Sequence, residues 1–227
     1  MTDTPSDPQV PAFLRNTPTD VTATLTFIQT QLSAIYSAAR ANQQDDTTPP
    51  RLDQDTYIKI YTAIFDYCVA AKPATGALSG KDLYRHLEQE TKDYCRHVRG
   101  HVFGTDDEVE DVTARRLLKA YLMQHDKFLH LSHLVKNLMQ FWERHWVRRE
   151  VDEKTKNVFL IDDLNKMVWR EEVLQVGVDT TLAKQGLVEI ADAVTELRES
   201  ERMADYDSKL VKDVVKSLSY LSLTIDG

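Results

Sequence analysis

The segment LDQDTYIKIYTAIFDYCV (Leu52–Val69) predicts an amphipathic helix whose apolar arc is too wide for a single neighbouring helix. At about 100° per residue, one apolar stripe is formed by Ile60, Ile64, Tyr67 and Cys68. A second stripe lies beside it and is formed by Tyr57, Ile58, Tyr61 and Phe65. A helix at the edge of a small bundle needs only one buried stripe. The second, aromatic-rich stripe is therefore either deeper core or a docking surface.

Helical periodicity continues through most of the chain and predicts an all-α protein of about eight helices. The predicted helices cover approximately residues 20–41, 53–70, 83–103, 105–126, 132–150, 158–177, 181–202 and 210–221. Thr19 or Asp20 is suited to cap the first helix, and Gly100 and Gly104 are expected to stop the third. All seven prolines lie at or before Pro73, so the rest of the chain can hold long helices.

The composition predicts a soluble protein with a substantial core and an acidic surface. Of the 227 residues, 42% are hydrophobic and 28% are charged, and the formal net charge is −8. This charge disfavours nucleic acid as a partner, because phosphate binding needs a basic surface. No apolar run approaches the roughly 20 residues of a membrane span, and residues 1–17, an expected disordered tail, lack the apolar centre of a signal peptide. With only two cysteines, these features predict a protein of the cytoplasm and nucleus that does not contact a membrane.

No group of residues has the pattern of a catalytic, metal or cofactor site, so we expect a protein that is not an enzyme and has no cofactor. The candidate metal ligands are scattered: Cys95, His97, His101, His125, His130 and His133. Gly100 is expected to break the helix between two of them, so surface histidines are the simpler interpretation. Cys68 lies on an apolar stripe, where burial raises the pKa of a thiol and opposes its use as a nucleophile. The segment WERHWVRRE (142–150) is interpreted as a helix C-terminus with inward-facing tryptophans.

Several segments resemble motifs of the cullin family, in the same order and with similar spacing over about residues 20–223. TYIKIYTAIFDYC (56–68) is similar to the second helix of cullins, with the pattern Y-x-x-[IL]-Y-x-x-x-[YF]-x-Y-C. RHWVRREVDE (144–153) resembles the end of the first cullin repeat. SGKDLYRHLEQE (79–90) and VFLIDDLNKMVWR (158–170) resemble the G-x-x-L-Y-x-x-L and I-Y-x-[IL]-x-x-x-x-x-x-W-R elements. The Tyr-Thr and Tyr-Cys pairs favour the SCF-type branch, in a fungal-like form, over the branch that binds BTB adaptors.

The resemblance implies an elongated, stalk-like scaffold built from five-helix cullin repeats. Residues 18–150 would form the first repeat, which binds the adaptor, and residues 151–227 would begin a second, truncated repeat. In the family, the second and fifth helices of the first repeat hold the adaptor, which in SCF-type cullins is a Skp-type protein carrying an F-box substrate receptor. By motif position, the predicted adaptor contacts are Tyr57, Ile58, Tyr61, Phe65 and Phe141. Asn137 and Arg144 are added because they lie one helical turn from Phe141 on the same face.

The same resemblance defines which partners the chain alone is expected to have. It implies a non-catalytic scaffold of an SCF ubiquitin ligase, with the Cand exchange factor as a further candidate partner. The RING protein binds the C-terminal half of a cullin, so it is expected only with a full-length protein. Two alternatives remain: a cullin of the BTB-binding branch, and a short form that sequesters adaptors without ligase activity.

Overall fold

The chain folds as an assembly of α-helices, which the computed structural model describes for residues 20–41, 51–70, 80–104, 114–175, 185–199 and 205–224. The helices are α1 (Val21–Ala41), α2 (Gln54–Ala70), α3 (Lys81–Phe103), α4 (Ala114–Trp142), α5 (Arg148–Asp152), α6 (Ile161–Val168), α7 (Gln185–Glu199) and α8 (Asp205–Tyr220). Two π-helical turns, Glu143–Val147 and Trp169–Val173, continue α4 and α6. No strand occurs in these ranges, and the prediction of an all-α protein is confirmed.

The starts of the first two helices follow from carboxylate caps. The Oδ1 atom of Asp20 accepts hydrogen bonds from the backbone amides of Thr22 and Ala23, at 3.0 and 3.1 Å. Asp53 accepts one from the amide of Thr56 at 2.9 Å. Each bond satisfies an amide that has no partner within the first helical turn, so these two predicted starts are confirmed.

The prediction that Gly100 stops the third helix is wrong. α3 continues through Gly100 to Phe103, and the turn is closed by Gly104, whose amide donates to the carbonyl of Gly100 at 3.0 Å. Val98 and Val102 are both buried, so the apolar stripe crosses the glycine without interruption. Burial of this stripe outweighs the cost of about 1 kcal/mol for glycine inside a helix.

The predicted break between residues 126 and 131 is also wrong, because α4 runs without interruption from Ala114 to Trp142. Its buried stripe passes directly through this region, with His125, Phe128 and Leu131 in the core. Asp126, which suggested a polar break, lies on the solvent side of the same helix. The two helices predicted around residue 130 are therefore one, and the acidic start predicted at residues 105–108 lies outside the described residues.

A short extended segment separates the first half of the chain from α6, which begins at Ile161 and not at the predicted residue 158. Phe159 donates its amide to the Tyr84 hydroxyl at 2.8 Å, and that hydroxyl also lies 3.3 Å from the Phe159 carbonyl. The Glu143 carboxylate accepts the amide of Ile161 at 2.8 Å and so satisfies the first turn of α6. Lys136 on α4 forms an ion pair with Asp162.

α4 contacts most of the other described helices. α1 packs on α2 and α3, both of which contact α4, and α4 also packs against α6, α7 and α8. At about 1.5 Å per residue, the 29 residues of α4 span roughly 43 Å. The buried apolar side chains of the described residues form one continuous cluster along it.

The division into repeats near residue 150 stays a prediction. None of the helices in the described ranges combines the length and the apolar character that a membrane span requires.

Candidate functional site

The two apolar stripes of α2 have different environments. Ile60, Ile64 and Tyr67 are at most 1% exposed, and Cys68 is half-buried beside them. In the second stripe, Ile58 is 51% exposed and Phe65 is 42% exposed, while Tyr57 and Tyr61 are half-buried. The second stripe is therefore surface and not deeper core.

Side chains from α4 extend this surface. The rings of Phe65 and Phe141 contact each other with centroids 4.8 Å apart, and the His145 ring packs on Phe141 at 4.3 Å. On α2, the rings of Tyr57 and Tyr61 stack at 6.4 Å with an angle of 9° between their planes. We call this surface the aromatic face, and its members are Tyr57, Ile58, Tyr61, Phe65, Phe141 and His145. A contiguous exposed apolar surface on a folded protein commonly marks a binding site.

The structure places the seven predicted contact residues on two adjacent helical segments. Phe65 and Phe141 join the segments through their ring contact. Asn137 and Arg144 are exposed one turn before and one turn after Phe141. Sequence reasoning missed His145 and also Val69, which is 45% exposed and continues the stripe of α2 by one turn. The four-residue spacings from Phe141 to His145 and from Phe65 to Val69 would have identified both.

The π-helical turn Glu143–Val147 is supported from behind by aromatic packing. Trp142 and Trp146 stack at 5.3 Å with nearly parallel planes, and the Tyr84 ring lies 6.2 and 6.0 Å from them. Trp146 packs over Gly80, where an added Cβ would overlap the indole ring. The predicted inward packing of the tryptophans is confirmed, and these contacts hold the turn that carries Arg144 and His145. π-helical turns are frequent at functional sites.

The two thiols are unsuited to nucleophilic chemistry. Burial raises the pKa of Cys68 to about 12 and raises that of Cys95 well above its usual value. Only a thiolate is an effective nucleophile or metal ligand, so both side chains are protonated and act as small apolar groups near neutral pH.

The histidines differ from the prediction in two respects. Because α3 is continuous, His97 and His101 lie on adjacent turns with ring centroids 4.8 Å apart. His125 is 3% exposed and thus a core residue, not a surface one, and burial lowers its pKa to about 4. In the part of the chain that the structure describes, no three His, Cys, Asp or Glu side chains come close enough together to hold a metal ion.

A cluster of Ser33, His86 and Glu90 joins α1 to α3 and was not identified from the sequence. The Ser33 hydroxyl donates to the Glu90 carboxylate at 2.6 Å and lies 3.1 Å from the Nε2 atom of His86. In a hydrolytic triad, the carboxylate orients the histidine through its other ring nitrogen. Here Glu90 bonds the serine itself and also pairs with Arg40 at 3.4 Å, so the cluster connects two helices and does not activate a nucleophile.

The chain is similar in sequence to several cullin proteins. The chain is 24% identical over 184 residues to Cullin-1 of Caenorhabditis elegans and 27% identical over 184 residues to Cullin-1 of Dictyostelium discoideum. It is 21% identical over 199 residues to Cell division control protein 53 of Saccharomyces cerevisiae. The alignments cover 74%, 75% and 80% of the chain but only 22% of each relative, so the chain spans less than a quarter of their length. The cullin family model, described as the Cullin alpha solenoid domain, matches residues 26–226. Because this match covers most of the chain, the protein belongs to the cullin family.

Proposed function

We propose that this chain is the adaptor-binding region of an SCF-type cullin scaffold, and that the aromatic face binds a Skp-type adaptor carrying an F-box substrate receptor. The observation that carries the proposal is the exposure of apolar and aromatic side chains on α2, in contact with Phe141 of α4. The motifs that resemble the second helix of SCF-type cullins fall on the same residues.

The chemistry of the aromatic face suits tight helix-face recognition. Tyr and Phe present large contact areas with few rotatable bonds, so little conformational entropy is lost on binding. The ring contacts between Tyr57 and Tyr61, and between Phe65 and Phe141, hold these side chains in place before a partner arrives. Removal of one central aromatic side chain is expected to cost about 2 kcal/mol of binding free energy, or roughly thirtyfold in affinity.

As a scaffold, the chain would contribute position and not catalysis to a ubiquitin ligase. It would hold the adaptor and its substrate receptor, while the RING protein joins only where the rest of a cullin is present. The Cand exchange factor is a further proposed partner of the longer protein. We propose the cytoplasm and nucleus as the location of this complex.

The proposal is tested by measuring the affinity of the chain for a purified Skp-type adaptor. We expect Tyr57→Ala combined with Tyr61→Ala to abolish measurable binding while helicity and melting temperature stay close to those of the wild type. The matched control is Phe159→Ala combined with Tyr220→Ala, which removes two other exposed aromatic side chains, 38% and 43% exposed, outside the aromatic face. This control is expected to keep wild-type affinity.

Two results would contradict the proposal. If the Tyr57→Ala and Tyr61→Ala variant unfolds, the second stripe is needed for the core. If that variant is folded and binds the adaptor as tightly as the wild type, the contacts lie elsewhere. Capture of a BTB adaptor in place of the Skp-type protein would assign the chain to the other branch of the family.

A further inference from the structure

Two arginines next to the aromatic face have no counter-ion among the described residues. Arg144 and Arg148 are both exposed, and their guanidinium groups form no ion pair or hydrogen bond with any residue that the structure describes. The chain carries a formal net charge of −8, so unpaired cations are not explained by a shortage of carboxylates.

Two of the acidic residues closest in sequence, Glu143 and Glu150, are engaged with other groups. The Glu143 carboxylate accepts the amide of Ile161 at 2.8 Å, at the start of α6. Glu150 pairs with Arg149 at 3.2 Å and accepts the Thr155 hydroxyl at 2.9 Å. Asp152, one helical turn after Arg148, is exposed and forms no ion pair with either arginine. We call Arg144 and Arg148 the cationic edge.

The π-helical turn aligns the cationic edge with the aromatic face. Within this turn, side chains four residues apart lie over one another, as the stacked rings of Trp142 and Trp146 show. Phe141 and His145 are a second such pair, on the side that faces α2. Arg144 and Arg148 have the same four-residue spacing and are both exposed, and Arg144 directly precedes His145 in the chain.

Charges at the border of an apolar contact act mainly on the rate of association. A partner that covers the aromatic face excludes water from the border and strengthens any ion pair formed there. Before contact, the same charges attract an oppositely charged surface and raise the association rate constant, an effect that salt suppresses. The apolar contacts, which form last, mainly determine how slowly the complex dissociates.

We propose that the partner of this site presents carboxylates to Arg144 and Arg148 next to the apolar surface that covers the aromatic face. The inference rests on the proposed function and adds the chemical character of the adaptor surface: an acidic segment beside an apolar one. The cationic edge sets the association rate, and the aromatic face sets the lifetime of the complex.

The test compares association kinetics of a purified Skp-type adaptor with two charge-reversed variants. The first is Arg144→Glu with Arg148→Glu, and the control is Arg116→Glu with Arg198→Glu, which makes the same change in net charge at exposed positions away from the site. Arg116 lies in the first turn of α4, roughly 40 Å along the helix from Arg144, far beyond a Debye length of about 8 Å at physiological salt.

We expect the first variant to associate about tenfold more slowly than the wild type at about 0.05 M salt, with a dissociation rate changed less than about threefold. The difference should shrink to about twofold at about 0.5 M salt, because screening removes the attraction. The neutral variant Arg144→Gln with Arg148→Gln should give an intermediate rate. The control variant should associate within about twofold of the wild type at every salt concentration.

The outcomes separate this inference from the proposed function. If Tyr57→Ala with Tyr61→Ala abolishes binding but the cationic-edge variant associates like the control, the adaptor site stands and the acidic partner surface is refuted. A loss that appears in the dissociation rate alone refutes the statement that the cationic edge sets the association rate. If the wild-type chain binds no Skp-type adaptor, both proposals fail.

Discussion

Two aromatic–histidine pairs, one within α4 and one between α4 and its π-helical turn, have the same four-residue spacing and opposite environments. Tyr121 and His125 stack at 6.0 Å in the core, whereas Phe141 and His145 pack at 4.3 Å on the surface. The difference is made by their neighbours. Trp169 covers His125, with ring centroids 5.3 Å apart. Among the described aromatic rings outside α4 and its π-helical turn, only Phe65 contacts the pair of Phe141 and His145.

The comparison supports the proposal that one helix with its π-helical turn contributes both to stability and to recognition. The buried cluster around Tyr121 and His125 is covered by Trp169 of the π-helical turn after α6 and by α8, so removal of its side chains leaves cavities. Side chains of the aromatic face are covered on one side only, so their removal costs contact area that a partner would otherwise bury. Substitutions in the two clusters are therefore expected to separate the free energy of unfolding from the affinity for an adaptor.

The largest effect on stability is expected for Trp169→Ala. This indole is fully buried and contacts Phe128 at 4.7 Å as well as His125. We expect a loss of about 3–5 kcal/mol in the free energy of unfolding, measured by urea denaturation. The control Phe159→Ala, at a site 38% exposed, should lose less than about 1 kcal/mol. Equal losses for the two variants would mean that the buried cluster does not stabilise the fold.

The buried histidine is expected to make stability depend on pH. Burial lowers the pKa of His125 from 6.5 to about 4, so the folded chain keeps it neutral in a range where the unfolded chain protonates it. The free energy of unfolding should therefore fall as pH drops from about 6.5 to about 4, by about 3 kcal/mol in total from this group.

The measurement for this prediction is urea denaturation across that pH range. We expect His125→Leu to flatten the dependence, because leucine cannot take up the proton. A wild-type slope that persists in His125→Leu would assign the pH dependence to other groups.

A smaller effect is expected at the glycine beneath the π-helical turn. A Cβ at Gly80 would overlap the Trp146 ring, so Gly80→Ala should cost about 1–3 kcal/mol of stability through overpacking. Because Trp146 supports the turn that carries Arg144 and His145, adaptor affinity should also fall. The matched control is Gly100→Ala, where a Cβ meets nothing within 4 Å inside α3. This control should gain about 0.5–1 kcal/mol, since alanine favours a helix, and a loss there would contradict the account of α3.

The sequence was sufficient to predict the two faces of α2 and the bounds of α1 and α2. Carboxylates at Asp20 and Asp53 precede runs with helical periodicity, and this local chemistry determines where those helices begin. Likewise, the split of α2 follows from angular positions alone. The resemblance to cullins then indicated which of its two apolar stripes we propose as the partner-binding one.

Features that depend on distant neighbours could not be predicted in this way. Asp126 and Gly100 looked like helix breaks, but a continuous buried stripe holds α4 and α3 through them. The π-helical turn Glu143–Val147 depends on Trp146 fitting over Gly80 and on Glu143 reaching Ile161, which is 18 residues further along the chain. His125 is buried because Trp169 of the π-helical turn after α6 and Tyr220 of α8 cover it. The residues next to His125 in the sequence do not predict these contacts.

The most direct test of the central claim compares two adjacent residues of α2 that lie on opposite faces. Ile64 is 0% exposed, whereas Phe65 is 42% exposed and touches Phe141. The measurement is the affinity for a Skp-type adaptor, made at a temperature where both variants are folded. We predict that Phe65→Ala weakens binding by about tenfold or more while losing less than about 1 kcal/mol of stability. Ile64→Ala should lose about 2–5 kcal/mol of stability and bind like the wild type once folded. Wild-type affinity in a folded Phe65→Ala variant would contradict the assignment of the aromatic face to recognition.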